Sequence, residues 1–231
     1  MTECTSSAPV IAIDGPSGVG KGAVSAALAG SLGWHLLDSG AVYRAVALAA
    51  EDRGLGAENA EPLVALCANL DLHFRAHSGG ISVLVDGAVV DDRLRSEAVS
   101  RTASKVAAIP QVRHALLALQ RSFRQPPGLI ADGRDMGTVV FPDAQLKIFL
   151  TASPEERANR RYKQLKDKGE DVILERLFSD IAERDRRDRE RSVSPTVPAD
   201  DAIVIDSTSM SLDAVIERAM AHVEAKGLGR S

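Results

Sequence analysis

Two cysteines in 231 residues, Cys4 in a polar leader and Cys67 in an apolar helical pattern, exclude a disulfide framework and fit a reducing compartment. Positive charge is also in short supply. With 28 Lys and Arg against 32 Asp and Glu the formal net charge is −4, so the molecule as a whole has no field that draws polyanions. No apolar run approaches the length of a membrane span. The leader Met1-Thr2-Glu3-Cys4-Thr5-Ser6-Ser7 carries an acid where a secretory signal has basic residues, and it lacks an apolar stretch, so a cytoplasmic protein is expected. There are no internal repeats. His73 and His77 have no Cys, His or acidic partner at a metal-ligand spacing and read as solvated turn histidines. What remains is an ordinary globular composition, 45% hydrophobic and 26% charged, expected to form one core with an insertion.

The most informative stretch that is present is Gly15-Pro16-Ser17-Gly18-Val19-Gly20-Lys21-Gly22-Ala23, entered from the apolar run Val10-Ile11-Ala12-Ile13 and Asp14. A short buried strand that ends in glycines and continues into a helix points several backbone N–H groups at one spot, which favours an anion. The spacing fits G-x-x-x-x-G-K, in which the lysine adds a full charge near the outer phosphates of a nucleotide. The Ser or Thr that normally follows the lysine to touch Mg²⁺ is replaced by Gly22, and Ala23 has no hydroxyl either. The metal is therefore expected to be held by phosphates, water or a carboxylate elsewhere. A glycine-rich turn before a helix is the plainer alternative, but it does not explain the lysine.

Further strand-like runs, His35–Asp38, Leu129–Asp132, Leu146–Leu150 and Ala202–Asp206, alternate with helical patterns and are mostly continuous apolar stretches. Such runs mark a parallel sheet covered on both faces. Asp14, Asp38, Asp132 and Asp206 end their strands, and ligands in open α/β sheets sit beyond the carboxyl ends, so these aspartates are expected to converge on one crevice. Between Asp71 and Val90 the texture changes to a small antiparallel meander, 71–75 and 81–85 around a Ser-Gly-Gly turn, then Asp86-Gly87 leading into 88–90. With its flanks, about residues 63–105, it reads as an inserted subdomain.

Arginine is concentrated in the C-terminal half. Ser153-Pro154-Glu155-Glu156 opens a helix with a capping-box spacing, and Arg157, Arg160 and Arg161 follow on one face. A second helix, from about Val172, buries Leu174, Leu177 and Ile181. Continuing that stripe at about 100° per residue brings Arg184, Asp188 and Arg191 to within about 40° of the same line, whereas Arg186, Arg189 and Glu190 point elsewhere. Inward charges of this kind need an anionic, hydroxyl-bearing partner or a mutual ion-pair network.

Four motifs in order, G-P-S-G-V-G-K-G at 15–22, L-L-D-S-G-A-V-Y-R at 36–44, I-A-D-G-R-D-M-G-T-V-V-F-P-D-A at 130–144 and E-R-D-x-R-D-R at 183–189, make nearly the whole chain resemble the bacterial cytidylate kinases. The resemblance implies a single three-layer α/β P-loop kinase domain over 1–231, with a central five-stranded parallel sheet, the antiparallel insert in the monophosphate-binding region and a short helical lid near 153–170. It implies that ATP, with Mg²⁺, phosphorylates CMP, and dCMP as well. Carried over by motif, Ser39 and Arg44 hold the acceptor phosphate, Ser104, Arg113 and Asp135 read the cytosine edge, and Asp132 and Arg134 lie near the phosphate path. Arg184, Asp188 and Arg191 match phosphate- and sugar-binding positions, and Arg157 and Arg161 match lid arginines. The family pattern has Thr where this chain has Ala23.

Transfer between two phosphates needs no strong general base, because the attacking oxygen is already ionised; positioning and charge neutralisation do the work. Lys21, Asp132, Arg157 and Arg161 are the expected catalytic set, and the lid and insert are expected to close against water. A kinase for UMP, AMP or a non-nucleotide acceptor would keep the loop and lid but alter Ser104, Arg113 and Asp135. A nucleic-acid-binding ATPase is disfavoured by the acidic charge, the absence of an N-K-x-D sequence and the inward arginines. No nucleic-acid or membrane partner is expected, and a monomer is the default.

Overall fold

The structure, a computed structural model, describes residues 8–56, 59–77, 80–94, 96–167 and 169–229; the leader with Cys4 and the Ser78-Gly79 part of the expected turn lie outside them. The chain divides into two compact units, Met1–Leu37 with Phe123–Ser231, and Asp38–Ser122.

In the first unit Val10–Asp14 forms β1, buried at every position. A segment apolar on both faces has to be covered on both, which places it in the interior of a parallel sheet. Lys21–Leu32 follows as α1 and His35–Asp38 as β2. The chain then makes its excursion through the second unit as α2 (Ser39–Asp52), α3 (Ala60–Ala68), β3 (Leu72–His77), β4 (Gly80–Val85), β5 (Ala88–Val89), α4 (Asp91–Leu94), α5 (Glu97–Val106) and α6 (Pro110–Ser122). It returns with β6 (Leu129–Asp132), a π-helical turn over Met136–Val140, β7 (Leu146–Thr151), α7 (Pro154–Asp167), α8 (Leu174–Arg189), β8 (Ile203–Asp206) and α9 (Leu212–Ala225).

The five strands of the large sheet lie in the order β2-β6-β1-β7-β8. β1 pairs in parallel with β6, Val10 opposite Leu129 and Ile13 opposite Asp132, and with β7, Ile11 opposite Leu146; β7 pairs in parallel with β8. Val24 and Leu28 of α1 and Val215, Ala219 and Val223 of α9 pack with Ile11, Ile13, Ile130, Ile148 and Ile205 in one apolar cluster. Each of these valine, leucine and isoleucine side chains, fully buried, stabilises the unit by roughly 1.5–3 kcal/mol over an exposed one. The expected α/β class, the five-stranded parallel sheet and the small antiparallel sheet are all present.

In the second unit β3, β4 and β5 form the antiparallel sheet, with Leu72 opposite Val85 and Leu84 opposite Val89. The turn between β4 and β5 is Asp86-Gly87, both at positive φ (50° and 79°), the backbone that a two-residue hairpin demands. His73 is exposed and pairs with Asp71 at 2.6 Å. α2 is rich in small apolar residues, Ala41, Ala45 and Ala49 among them, and packs closely on α5. Asp38 caps α2 by accepting from the Ala41 N–H at 2.9 Å, and Ser96 caps α5 by accepting from Val99 at 3.2 Å.

Candidate active site

The phosphate cradle belongs to the first unit, and its shape follows from where β1 ends. Gly15, at φ 144°, lies so close to β7 that a Cβ there would stand 2.0 Å from the Leu150 carbonyl oxygen, so no other residue fits. Gly20, at φ 94°, is the residue before α1 and offers no side chain to cap it, and α1 has no acid in its first turn. The start of the helix is thereby left for an outside anion. Lys21 is almost wholly buried and folds back to donate from Nζ to the Pro16 carbonyl at 2.8 Å.

Four side chains act on that lysine. Burial and the nearby Arg134 guanidinium lower its pKa from 10.5 to about 7, with Arg184 in the same sense, against Asp132 and Asp14, which favour the charged form. Asp132 ends β6, next to β1, and its Oδ2 lies 3.7 Å from where a Cβ on Gly22 would stand. Asp14, at the end of β1, accepts from the Met136 and Gly137 N–H groups, both at 2.8 Å, and so ties the strand to the π-helical turn that follows Arg134 and Asp135. Burial pushes the Asp14 carboxyl up to about 6, past the lowering effect of those two hydrogen bonds; Asp135 raises it further and Lys21 opposes.

The charged end of α8 forms the adjoining cluster. Arg134 donates from Nε to Asp188 Oδ2 at 3.1 Å, and Arg191 Nη2 stands 3.5 Å from Asp188 Oδ1 while also donating to Thr196 Oγ1 at 3.1 Å. Burial alone would raise the Asp188 pKa, but Arg134, Arg191 and Arg184 together hold it below the ordinary value. The inward direction expected for Asp188 and Arg191 is thus observed, with both buried, and Arg186, Arg189 and Glu190 are exposed. Arg184 is half-buried, and Asp185 is buried as well.

Asp185 has a specific partner. Arg157, 3% exposed, pairs with its Oδ2 at 2.5 Å and also donates to the Ala152 carbonyl at 3.1 Å and the Ser17 carbonyl at 3.2 Å. This geometry makes Arg157 a tie between the cradle, the end of β7 and α8. Arg160 does similar work, donating to the Val19 carbonyl at 3.4 Å and to Ser207 O and Oγ at 2.6 and 3.1 Å. Arg161 is half-buried on the same helix. Ser153 caps α7, accepting from Glu156 N at 3.2 Å as the capping-box spacing predicts.

Not all four strand-end aspartates converge. Asp14 and Asp132 flank Lys21, but Asp206 is exposed on the edge strand and accepts from Thr208 N and Oγ1 at 2.9 and 2.5 Å, a turn-forming role. Asp38 closes β2 and pairs with Arg44 at 2.8 Å. A Cβ on Gly40 would stand 3.0 Å from Arg44 Nη1, so the glycine leaves room for the guanidinium to fold back over the first turn of α2. Ser39 is buried and donates from Oγ to Gln120 Oε1 at 2.7 Å. Arg113, also buried, donates to the Ala107 carbonyl at 3.1 Å, and its guanidinium lies 5.4 Å from the centre of the Tyr43 ring. Ser104 is buried on α5.

Asp185, Tyr43 and Gln120 were not singled out as site residues from the sequence, and Asp14 was expected at the crevice without a role of its own. Gln120 had a readable signal, a polar residue at a core position of the 113/116/120 stripe of α6. Among the described residues no helix is long and apolar enough to cross a membrane, and no cluster of three His, Cys, Asp or Glu could hold a metal.

A model of the cytidylate kinase family matches residues 11–225. The chain is similar to the curated cytidylate kinase of Yersinia enterocolitica, 58% identical over 220 residues that span 95% of this chain and 96% of the relative. It is likewise 58% identical to that of Serratia proteamaculans, over 94% of this chain and 95% of the relative, and to that of Aeromonas salmonicida, over 94% of each.

Proposed function

The chain belongs to the cytidylate kinase family, and from that membership we infer that it transfers the γ-phosphoryl group of ATP to CMP, releasing ADP and CDP. An oxygen of the acceptor phosphate forms the new bond to the γ-phosphorus as the bond from that phosphorus to the β–γ bridging oxygen breaks. The electron pair leaves with ADP. The attacking oxygen is ionised beforehand, so the protein has to orient two polyanions and neutralise their repulsion.

The observation that best supports this reading is the placement of Lys21 at the mouth of an uncapped helix with Arg134, Arg184, Asp132 and Asp14 all acting on it. Gly15, Pro16, Ser17, Gly18, Val19, Gly20, Lys21, Gly22 and Ala23 form the ATP loop in this reading, with Lys21 at the outer phosphates. Asp132, Arg134, Asp135, Arg184, Asp188 and Arg191 of the first unit, and Ser39, Arg44, Ser104 and Arg113 of the second, are the CMP set. Arg157 and Arg161 supply charge to the transferred group, and Arg157 also holds the loop. Mg²⁺, when bound with ATP, offsets charge on the β- and γ-phosphates. The residues present fit a metal carried by the nucleotide and water: Gly22 and Ala23 bring no hydroxyl, and the Asp132 carboxylate beside Gly22 would be available to accept from metal-bound water.

The same reading takes dCMP as a second acceptor and the protein as a cytoplasmic monomer. ADP release measured with CMP, dCMP, UMP, AMP and GMP in turn, with ATP and Mg²⁺, tests it: turnover is expected with CMP and dCMP first. Equal rates with AMP or GMP would refute the assignment of Ser104, Arg113 and Asp135 to the cytosine edge.

A further inference from the structure

Two rungs join α2 to α6. One is the Ser39–Gln120 hydrogen bond and the other is the Arg113 guanidinium over the Tyr43 ring. Ser39 and Tyr43 are one turn apart on α2, and Arg113 and Gln120 two turns apart on α6, so both rungs use one face of each helix. Gln120 is 1% exposed and Ser39 3%, so neither side chain exchanges its partner for bulk water.

The chemistry of that bond has a consequence for an anion. A serine hydroxyl has one hydrogen, and here it goes to Gln120 Oε1. A phosphate oxygen is an acceptor only, so Ser39 can serve it only by releasing that hydrogen. A glutamine amide allows the exchange at the cost of one long contact: turned over about its last bond, it gives up the 3.5 Å donation from Nε2 to the Leu116 carbonyl and presents its NH2 to Ser39 Oγ, and the hydroxyl hydrogen is freed for the phosphate.

We propose that Gln120 is a positioning residue for the acceptor phosphate, holding the Ser39 hydroxyl hydrogen when the phosphate is away and donating to Ser39 Oγ when it is bound. The inference rests on reading Ser39 as an acceptor-phosphate contact. Gln120 itself touches no substrate.

The test is a double-mutant cycle read in steady-state kinetics. Gln120→Met keeps length and volume but neither accepts nor donates well; the CMP KM should rise about fivefold to tenfold, the scale of one lost hydrogen bond, with the ATP KM unchanged. Gln120→Glu should be worse, by about tenfold or more, because a carboxylate only accepts and keeps the hydroxyl hydrogen from the phosphate. Both effects should largely vanish in a Ser39→Ala background. A merely structural Gln120 would give effects that persist undiminished beside Ser39→Ala and that move the ATP KM equally; that result overturns the inference while leaving Ser39 in place. If Ser39→Ala alone leaves the CMP KM untouched, the assignment of Ser39 fails and the role of Gln120 falls with it. Should the glutamate variant not fold, the methionine arm of the cycle decides alone.

Discussion

Replacing Arg157 with methionine removes the partner of Asp185 while leaving most of the volume of the side chain in place. The two groups are 3% and 8% exposed and meet at 2.5 Å, and the other oxygen of Asp185, Oδ1, is buried with no hydrogen-bond partner among the described residues. Loss of the guanidinium therefore leaves an uncompensated buried carboxylate, for which about 3–5 kcal/mol is the expected cost. The Ala152 and Ser17 carbonyls lose a donor as well, at about 1 kcal/mol each. For a chain of this size the sum corresponds to a fall in Tm of about 10 °C or more. Urea denaturation of the unliganded protein would measure it. The paired change Arg157→Met with Asp185→Leu should recover most of the loss, because two apolar groups replace the pair without stranding a charge. The reasoning fails if Arg157→Met costs less than about 1 kcal/mol, or if the double variant is as unstable as the sum of the singles. The ATP KM should rise in both variants, since the Ser17 carbonyl has lost its anchor in each.

Three more outcomes follow from the same unit. Asp14 has its pKa pushed from 3.8 to about 6 by burial, so the folded protein holds this proton more tightly than the unfolded chain. Its contribution makes stability fall as pH rises from about 4 to 6, by roughly 3 kcal/mol, and chemical denaturation of Asp14→Asn at the two ends of that range should lack this slope. Lys21 is the mirror case: with its pKa lowered from 10.5 to about 7, stability gains as pH rises through that window. Lys21→Met should raise the Tm of the unliganded protein near pH 7 while lowering kcat by about 10³-fold. Gly15→Ala puts a Cβ 2.0 Å from the Leu150 carbonyl oxygen, so calorimetric titration with a non-hydrolysable ATP analogue should show binding lost.

Local pattern carried the sheet. β1 and β6 begin and end where the apolar runs and their terminal aspartates place them, because a buried parallel strand needs an unbroken apolar segment and a turn residue after it; β2 has the expected bounds too, though at the sheet edge only its Leu37 is buried. The inward line of Asp188 and Arg191 was likewise legible from helical period alone. Partners distant in sequence were not legible. Nothing near Asp14 signals that its carboxylate takes the N–H groups of Met136 and Gly137, 122 and 123 positions later, and nothing near Arg157 names Asp185. Asp206 shows the converse: a strand-end aspartate at the sheet edge has solvent on one side and closes on its own turn, and only the strand order separates it from Asp132.

The central position of β1 sets a timetable for synthesis. Val10 to Asp14 are made first, yet every strand they pair with, from Leu129 onward, comes after the whole of Asp38–Ser122. At about 5–20 residues per second the wait for roughly 120 residues is about 6–24 s. The length of the excursion costs little at equilibrium, since loop-closure entropy grows only with the logarithm of length, so the penalty is one of time. Through that interval a five-residue, β-prone and nearly uncharged segment has no native strand partner, which leaves its edges open to a chaperone or a neighbouring chain. The phosphate loop lacks the Leu150 wall for as long, so a ribosome-bound chain should acquire its grip on ATP only after β7 has emerged and paired.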